Sequence, residues 1–409
     1  MLDKKGKPRI AEWSELRGLA FMAIVLQHSI GEYIYRSDIL QPDSTMLVMI
    51  YHLTRFGTPT FVFLSAALLF YNHKNDVSYP KYIKRRFSDI FVPFMFWTVI
   101  YWLVTRMWSS HTWAEPSFWT GLLQEFIIPT QGYHLWFVVM IFQFYVLFPF
   151  VVIGVNRVRS ALNGYDSSFR TLLTGMLLTV LGCAYALLMH WSYYDMANWY
   201  ERLPSWLQPF IQFRTYNVLM YFFYIALGAV CAGMIVTWRR WVMKILPWNG
   251  IVFILLYMIM GYTLLSQSGA TMNLNISTYL KPSTFLLIIS QILLLYGLLI
   301  RTHTTVEPGP FRRMLAWMGS YSYGAYLAHA LVLLLVSLLT RQWSLVGYHM
   351  VATLLTFVVV TLVSLAISRG LSSLSFGRWL VGPSKKRSLK LPWARTTTSA
   401  DPSATRTSL

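Results

Sequence analysis

An arginine and a histidine stand eleven residues apart in the stretch ELRGLAFMAIVLQHSIGEY, Glu15 to Tyr33. At about 100° per residue, eleven steps overshoot three full helical turns by roughly 20°. Arg17 and His28 therefore share one face of a helix, ~16 Å apart along its axis. Imidazole is the side chain best suited to taking a proton near neutral pH. A guanidinium is suited to binding phosphate through two parallel hydrogen bonds. The residues around both are apolar, and an ionisable group in an apolar span is costly. Such a group is a functional candidate that faces a bundle interior or a wet cavity. Two plainer readings stand beside this one: Arg17 as a snorkelling topology anchor, and His28 as an interhelical hydrogen-bonding residue.

Chemistry at this spacing needs a helix in lipid, and the composition supplies one. The chain has 409 residues, 56% of them hydrophobic and 12% charged, against about 25% charged in a soluble domain. Mean hydropathy is +0.49, and apolar runs of roughly 20 residues recur throughout. The ~10-residue alternating segments of a transmembrane barrel are missing. The expected fold is all-α: a polytopic integral membrane helical bundle of about ten transmembrane helices. The spans are expected near 16–35, 46–71, 88–107, 134–155, 170–190, 216–237, 249–266, 283–300, 321–340 and 347–368.

The formal net charge of +19 would suggest nucleic acid in a soluble protein. Here 26 of the 34 Lys and Arg fall on one set of connections: the N-terminus, 72–87, 156–169, 238–248, 301–320 and the tail, with Arg170 and Arg369 at span edges. That asymmetry is the positive-inside pattern, and it predicts both termini in the cytoplasm and no nucleic-acid partner. Lys4, Lys5, Lys7 and Arg9 precede the first span with no small-residue cleavage site after it, which reads as a retained helix. Cys183 and Cys231 lie inside apolar runs and read as small hydrophobes, with no disulfide or redox role. Residues 1–370 form the membrane domain, and 371–409 a basic, largely disordered tail. Two connections on the other side, 108–133 and 191–215, are rich in Trp, Tyr and Phe. They fit an interfacial aromatic belt or a vestibule whose rings stack on a sugar.

Further candidates follow from this topology. Arg85 and Arg86 share the basic side with Arg17. His134 and Trp136 open the fourth span on the other side. Tyr326 and His329, three residues apart, share a face of the ninth span, with His329 near the depth of His28. Both histidines are expected to line one cavity, with a satisfied helix–helix hydrogen bond as the plainer role of His329. No grouping of His with Asp or Glu suggests a metal site.

The string LRGLAFMAIVLQH resembles the first-helix signature of the membrane acyltransferase 3 family, in which Arg and His are separated by ten residues. Four further stretches resemble the family in order: RFGTPTFVFLSAALLF, KRRFSDIFVPFMFW, YHLWFVVMIFQFYVLFP and SYSYGAYLAHALVL. Together they cover most of residues 12–335. The resemblance implies an O-acyltransferase that moves an acyl group, commonly acetyl, from cytoplasmic acyl-coenzyme A to a hydroxyl of an extracytoplasmic carbohydrate or cell-envelope acceptor. It implies a multi-pass protein of a bacterial plasma membrane, with acyl-coenzyme A as co-substrate and no bound cofactor.

By the same resemblance His28 and Arg17 are the catalytic pair. Arg17, Arg85 and Arg86 would meet the donor phosphates, and His134, Trp136, Tyr326, His329 and Ser65 would border the substrate. Two positions depart from the family pattern. Asp89 replaces the second arginine of an Arg-x-x-Arg loop, and Ala66 replaces the glycine of Ser-Gly. A transporter or flippase for a polysaccharide or lipid-linked intermediate is the alternative, but paired Gly/Pro-broken helices are lacking.

Overall fold

The structure is a computed structural model that describes residues 10–73, 78–106, 115–268, 272–302 and 308–383. Every regular element among them is helical. Helix α1 spans Ala11–Tyr33, α2 Gln41–Thr54 and α3 Gly57–Tyr71. Helix α4 runs Tyr79–Arg106 and includes a π-helical turn at Phe87–Phe91. Helix α5 is Pro116–Glu125, α6 Trp136–Leu162, α7 Ser167–His190 and α8 Phe222–Gly233. Helix α9 is Ile235–Gln267, α10 Pro282–Thr302, α11 Pro310–Thr340, α12 His349–Ser373 and α13 Gly377–Val381.

Among the described residues eight helical segments are long and apolar enough to cross a membrane, α2 and α3 counting together as one, Gln41–Asn72. The first and sixth expected spans are filled differently. Helix α1 carries Glu12, Glu15, Arg17 and Glu32 along its 23 residues, and the sixth is the short apolar segment Val218–Gly233. The second expected span is broken at Arg55 and Phe56, between α2 and α3. The expected loop 238–248 is helical instead: it lies inside α9, with Pro247 in the helix and the break displaced to Met234. Trp, Arg and Lys do not stop a helix, and the backbone instead leaves helical geometry at Met234, with φ −135° and ψ 42°. The residues placed at the head of the tail continue α12 to Ser373 and then form α13 against α4. The tail from residue 384 lies outside the described residues.

Helix α1 is the axis of the bundle, in contact with α2, α3, α10, α11 and α12. Helices α7 and α9 are peripheral and expose large apolar side chains such as Leu172, Val180, Ile254, Leu255 and Tyr262, as lipid-facing helices do. The closest approach is α1 on α11. A Cβ on Gly319 would lie 1.9 Å from the Ser14 carbonyl oxygen, and one on Gly18 2.4 Å from that of Leu315. Two facing glycines let these backbones touch, the packing that membranes favour where no hydrophobic force draws helices together. This contact sets His28 of α1 beside His329 of α11. The Ser65–Ala66 departure has its counterpart here as well. Gly228 of α8 faces it, where a Cβ would lie 2.7 Å from the Ala66 methyl and 2.5 Å from the Phe63 carbonyl oxygen. The partner helix thus supplies the glycine that the close approach requires.

Ion pairs gather the basic connections on one face, hereafter the basic face. Glu12, buried, pairs with Arg239 at 2.6 Å, and Glu15, also buried, with Arg312 at 3.2 Å. Trp13 Nε1–H donates to the Tyr296 hydroxyl at 3.0 Å. On the opposite face Arg36 donates to the Thr340 carbonyl at 3.0 Å. There Asp38 accepts from Leu345 N–H and from the buried His349 ring, both at 3.0 Å. The Leu345 N–H, with Arg36 and His349, holds the Asp38 carboxyl well below the usual carboxylate range. Helix α1 is thereby pinned at both ends, which fixes the depth of Arg17 and His28.

Candidate active site

Three imidazoles meet in the half of the bundle away from the basic face. The ring centroids of His28 and His329 are 5.2 Å apart, and those of His134 and His329 4.6 Å. His28 and His329, which the sequence expects to line one cavity, are thus neighbours, His329 fully buried and His28 half-buried. His134 joins them from the turn that starts α6, so three elements far apart in sequence each deliver one ring.

The His28 and His329 rings are oriented by hydrogen bonds, and the His134 ring by its backbone and by packing against Tyr101 and Tyr326. The His28 Nδ1 is 3.3 Å from the hydroxyl of Tyr133, an exposed residue at the outer rim. The His329 Nδ1–H donates to its own helix at the Tyr326 carbonyl, 2.5 Å away. That bond leaves the His329 Nε2 as a buried nitrogen with no partner, an acceptor by tautomer. The Tyr326 hydroxyl donates to the His134 carbonyl, which ties the α6 turn to α11. The buried Glu125 carboxylate accepts from Thr130 N–H at 2.9 Å and Gln131 N–H at 3.1 Å, shaping the turn that presents Tyr133 and His134. Among the described residues no group of His, Cys, Asp or Glu is arranged to hold a metal ion.

Tyr101 of α4 opens α11 at this point. Its hydroxyl donates to the Leu327 carbonyl at 2.8 Å and accepts from Leu331 N–H at 2.9 Å. It thus takes the place of the backbone bond between those two residues, a side chain inserted into the helical ladder. The turn so opened is the one that carries His329. Tyr101→Phe is expected to leave Leu331 N–H and the Leu327 carbonyl unserved, at a cost of about 1–3 kcal/mol. The measurement is a melting curve beside an activity assay. A variant that melts and turns over like the parent would remove Tyr101 from this role.

A second polar group lies toward the basic face. Among the described residues the buried Arg17 Nε has no hydrogen-bond partner, and the side chain is within electrostatic reach of Tyr145 on α6. The Tyr145 hydroxyl donates to Ser65 Oγ of α3 at 3.4 Å. The Arg86 guanidinium lies 5.4 Å from the Tyr82 ring and 5.5 Å from the Tyr145 ring, its buried Nε also unpartnered. Arg86 and Ser65 thus converge on Tyr145, with Arg17 in electrostatic reach.

Arg85 is placed elsewhere. It is exposed and pairs with Asp89 at 3.6 Å, while Asp89 also binds Arg378 of α13 at 2.6 Å. The acidic residue at the departing loop position therefore clamps α13 to the π-turn of α4. Trp136 also stands apart from the histidines. It packs among Tyr216, Tyr221 and Tyr279, with centroids 6.2–6.3 Å away. His111 and His303 lie outside the described residues.

Sequence reasoning passed over Tyr133, Tyr145, Tyr101 and Glu125. Tyr133 had a signal, since it directly precedes a candidate histidine. Tyr145 and Tyr101 had none, being two of 25 tyrosines in apolar helices.

Two polar groups strung along one helix, cations at one end and imidazoles at the other, suit a reaction between a large anion and a nucleophile. Comparisons with curated proteins and with solved structures give no match. A family model does match: the acyltransferase domain of the acyltransferase 3 family, over residues 12–372. That span is nearly the whole chain and includes both polar groups, so this multi-pass membrane protein belongs to the acyltransferase 3 family of acyltransferases.

Proposed function

We propose that the protein moves an acyl group from acyl-coenzyme A, with acetyl as the expected group, to a hydroxyl of a carbohydrate or other cell-envelope acceptor. The observation that carries this reading is the separation of roles along α1. Arg17 and Arg86 offer unpaired guanidinium N–H groups at the basic face, and His28 meets His134 and His329 ~16 Å further along the helix. The basic face is read as cytoplasmic, from the charge of its connections. The proposed membrane is the bacterial plasma membrane, whose lipid surrounds the bundle.

The donor's phosphates would lie between Arg17 and Arg86, held by charge-assisted hydrogen bonds. Its thioester end would reach toward His28. The acceptor would enter past Tyr133, and the aromatic wall at Trp136 offers a stacking surface. With Nδ1–H of His28 directed at the Tyr133 oxygen, Nε2 holds the lone pair. The acceptor oxygen attacks the thioester carbonyl as Nε2 takes its proton. The C–S bond breaks, and the imidazolium returns the proton to the departing thiolate. His329 Nε2, an acceptor, would take a hydrogen bond from a second hydroxyl of the acceptor and leave the attacking one to His28. Ser65 lies with the arginines, which supports a donor-side position for it.

The test is transfer itself. The protein is reconstituted in proteoliposomes with labelled acetyl-coenzyme A on the basic side and oligosaccharide acceptors on the other. Label on the acceptor, dependent on the protein, is the expected result. Acceptor or lipid-linked sugar crossing the bilayer with no label leaving the donor would establish the transporter reading instead.

A further inference from the structure

A third cationic group lies opposite the donor end and has no role in the reaction as described. Arg55, at the break between α2 and α3, is 3% exposed. Its guanidinium carries five N–H donors and makes one hydrogen bond, from Nη1 to the Tyr51 hydroxyl at 2.9 Å. Its carbon stands 3.8 Å from the centre of the Tyr279 ring, and its buried Nε has no partner among the described residues. Lys281, 5% exposed, donates among the described residues only to the Ile276 carbonyl, at 3.0 Å, and faces the Tyr193 ring. His52 is fully buried, with Nδ1 3.0 Å from Ser277 Oγ and Nε2 unpartnered. It lies within electrostatic reach of both cations.

Among the described residues no Asp or Glu pairs with Arg55 or Lys281; the ion pairs are made by other cations. Buried charge is normally paired, because an unpaired one loses its hydration for nothing. Arg55 is also a neighbour of the histidines. The Tyr279 hydroxyl lies 3.1 Å from Gln27 Oε1, one residue before His28, and His28 is within electrostatic reach of Arg55.

We propose that Arg55, with Lys281 and His52 beside it, binds an anionic group, a carboxylate or phosphate, carried by one of the two reactants that meet at His28. The inference rests on the acyl-transfer reading. Two sources supply that chemistry: a dicarboxylic acyl group with a free terminal carboxylate, or an acidic acceptor.

The experiment pairs two donors, acetyl- and succinyl-coenzyme A, with two acceptors, a neutral oligosaccharide and a uronate-containing one. It uses the full chain in lipid nanodiscs. The parent is expected to favour one anionic reactant over its neutral counterpart, and the arm showing the preference names the source. Arg55→Gln is expected to cut that preference about 10- to 150-fold, the value of a charged hydrogen-bond partner. Arg55→Lys, which keeps the charge and verifies folding, is expected to retain part of it. No preference in the parent, or an equal fall in every arm for Arg55→Gln, overturns the proposal. If no arm gives transfer, the acyl-transfer reading fails, and melting in succinate against chloride decides the anion site separately. Stabilisation of the parent but not of Arg55→Gln by succinate supports the site, and equal shifts overturn it.

Discussion

His28→Ala is expected to reduce acyl transfer by about 10²- to 10⁴-fold, the usual contribution of a positioned general base. The loss should fall on kcat, with the KM for the donor little changed, because His28 stands ~16 Å along α1 from Arg17. Folding should survive. The His28 ring is half-buried and makes one long hydrogen bond, 3.3 Å to Tyr133, so its removal strips little packing from the bundle. Measuring initial rates over a range of donor concentrations checks this. A His28→Ala protein that is monodisperse and transfers at the parent rate would end the assignment of His28 as the base.

Arg17→Ala is expected to raise the KM for acyl-coenzyme A by about 10- to 150-fold, the worth of one hydrogen bond to a charged group of ~1.5–3 kcal/mol. Stability should not follow activity. The Arg17 Nε is buried with no hydrogen-bond partner among the described residues, so the side chain is a cost to the fold that a bound anion would relieve. The melting temperature of Arg17→Ala should therefore stay the same or rise. This is the mark of a residue held for function at the expense of stability. Arg86→Ala should show the same pattern. Arg85→Ala should show the reverse, a modest loss of stability with little change in KM, because Arg85 is exposed and engaged with Asp89. Donor titrations in which Arg17→Ala and the parent coincide would rule out the donor role of Arg17.

The family itself was readable before the structure, because its signatures are short strings: LRGLAFMAIVLQH carries the Arg–His spacing within four turns of one helix. The fate of Asp89 was not readable. The sequence shows an acidic residue where the family has arginine, and only the fold brings Arg378, 289 residues away, to meet it. The break at Arg55 was equally hidden. Residues 46–71 are apolar enough for one continuous helix, and no glycine or proline stands at the break itself, although Gly57 and Pro59 follow it.

What the sequence determined by itself is what local chemistry determines. Hydropathy over ~20 residues forces helices in lipid, because each backbone group must be satisfied within its own segment. Helical period then puts Arg17 and His28 on one face. The tertiary structure alone decided which residues from other helices meet that face. His134 and His329 reach His28 because Gly18 and Gly319 let α1 and α11 touch, and because Tyr101 opens α11 at the turn that holds His329. Tyr145 meets Ser65, and Arg85 turns away to Asp89. These are contacts between segments separated by tens to hundreds of residues, set by which backbones can approach, and no local period or motif encodes them.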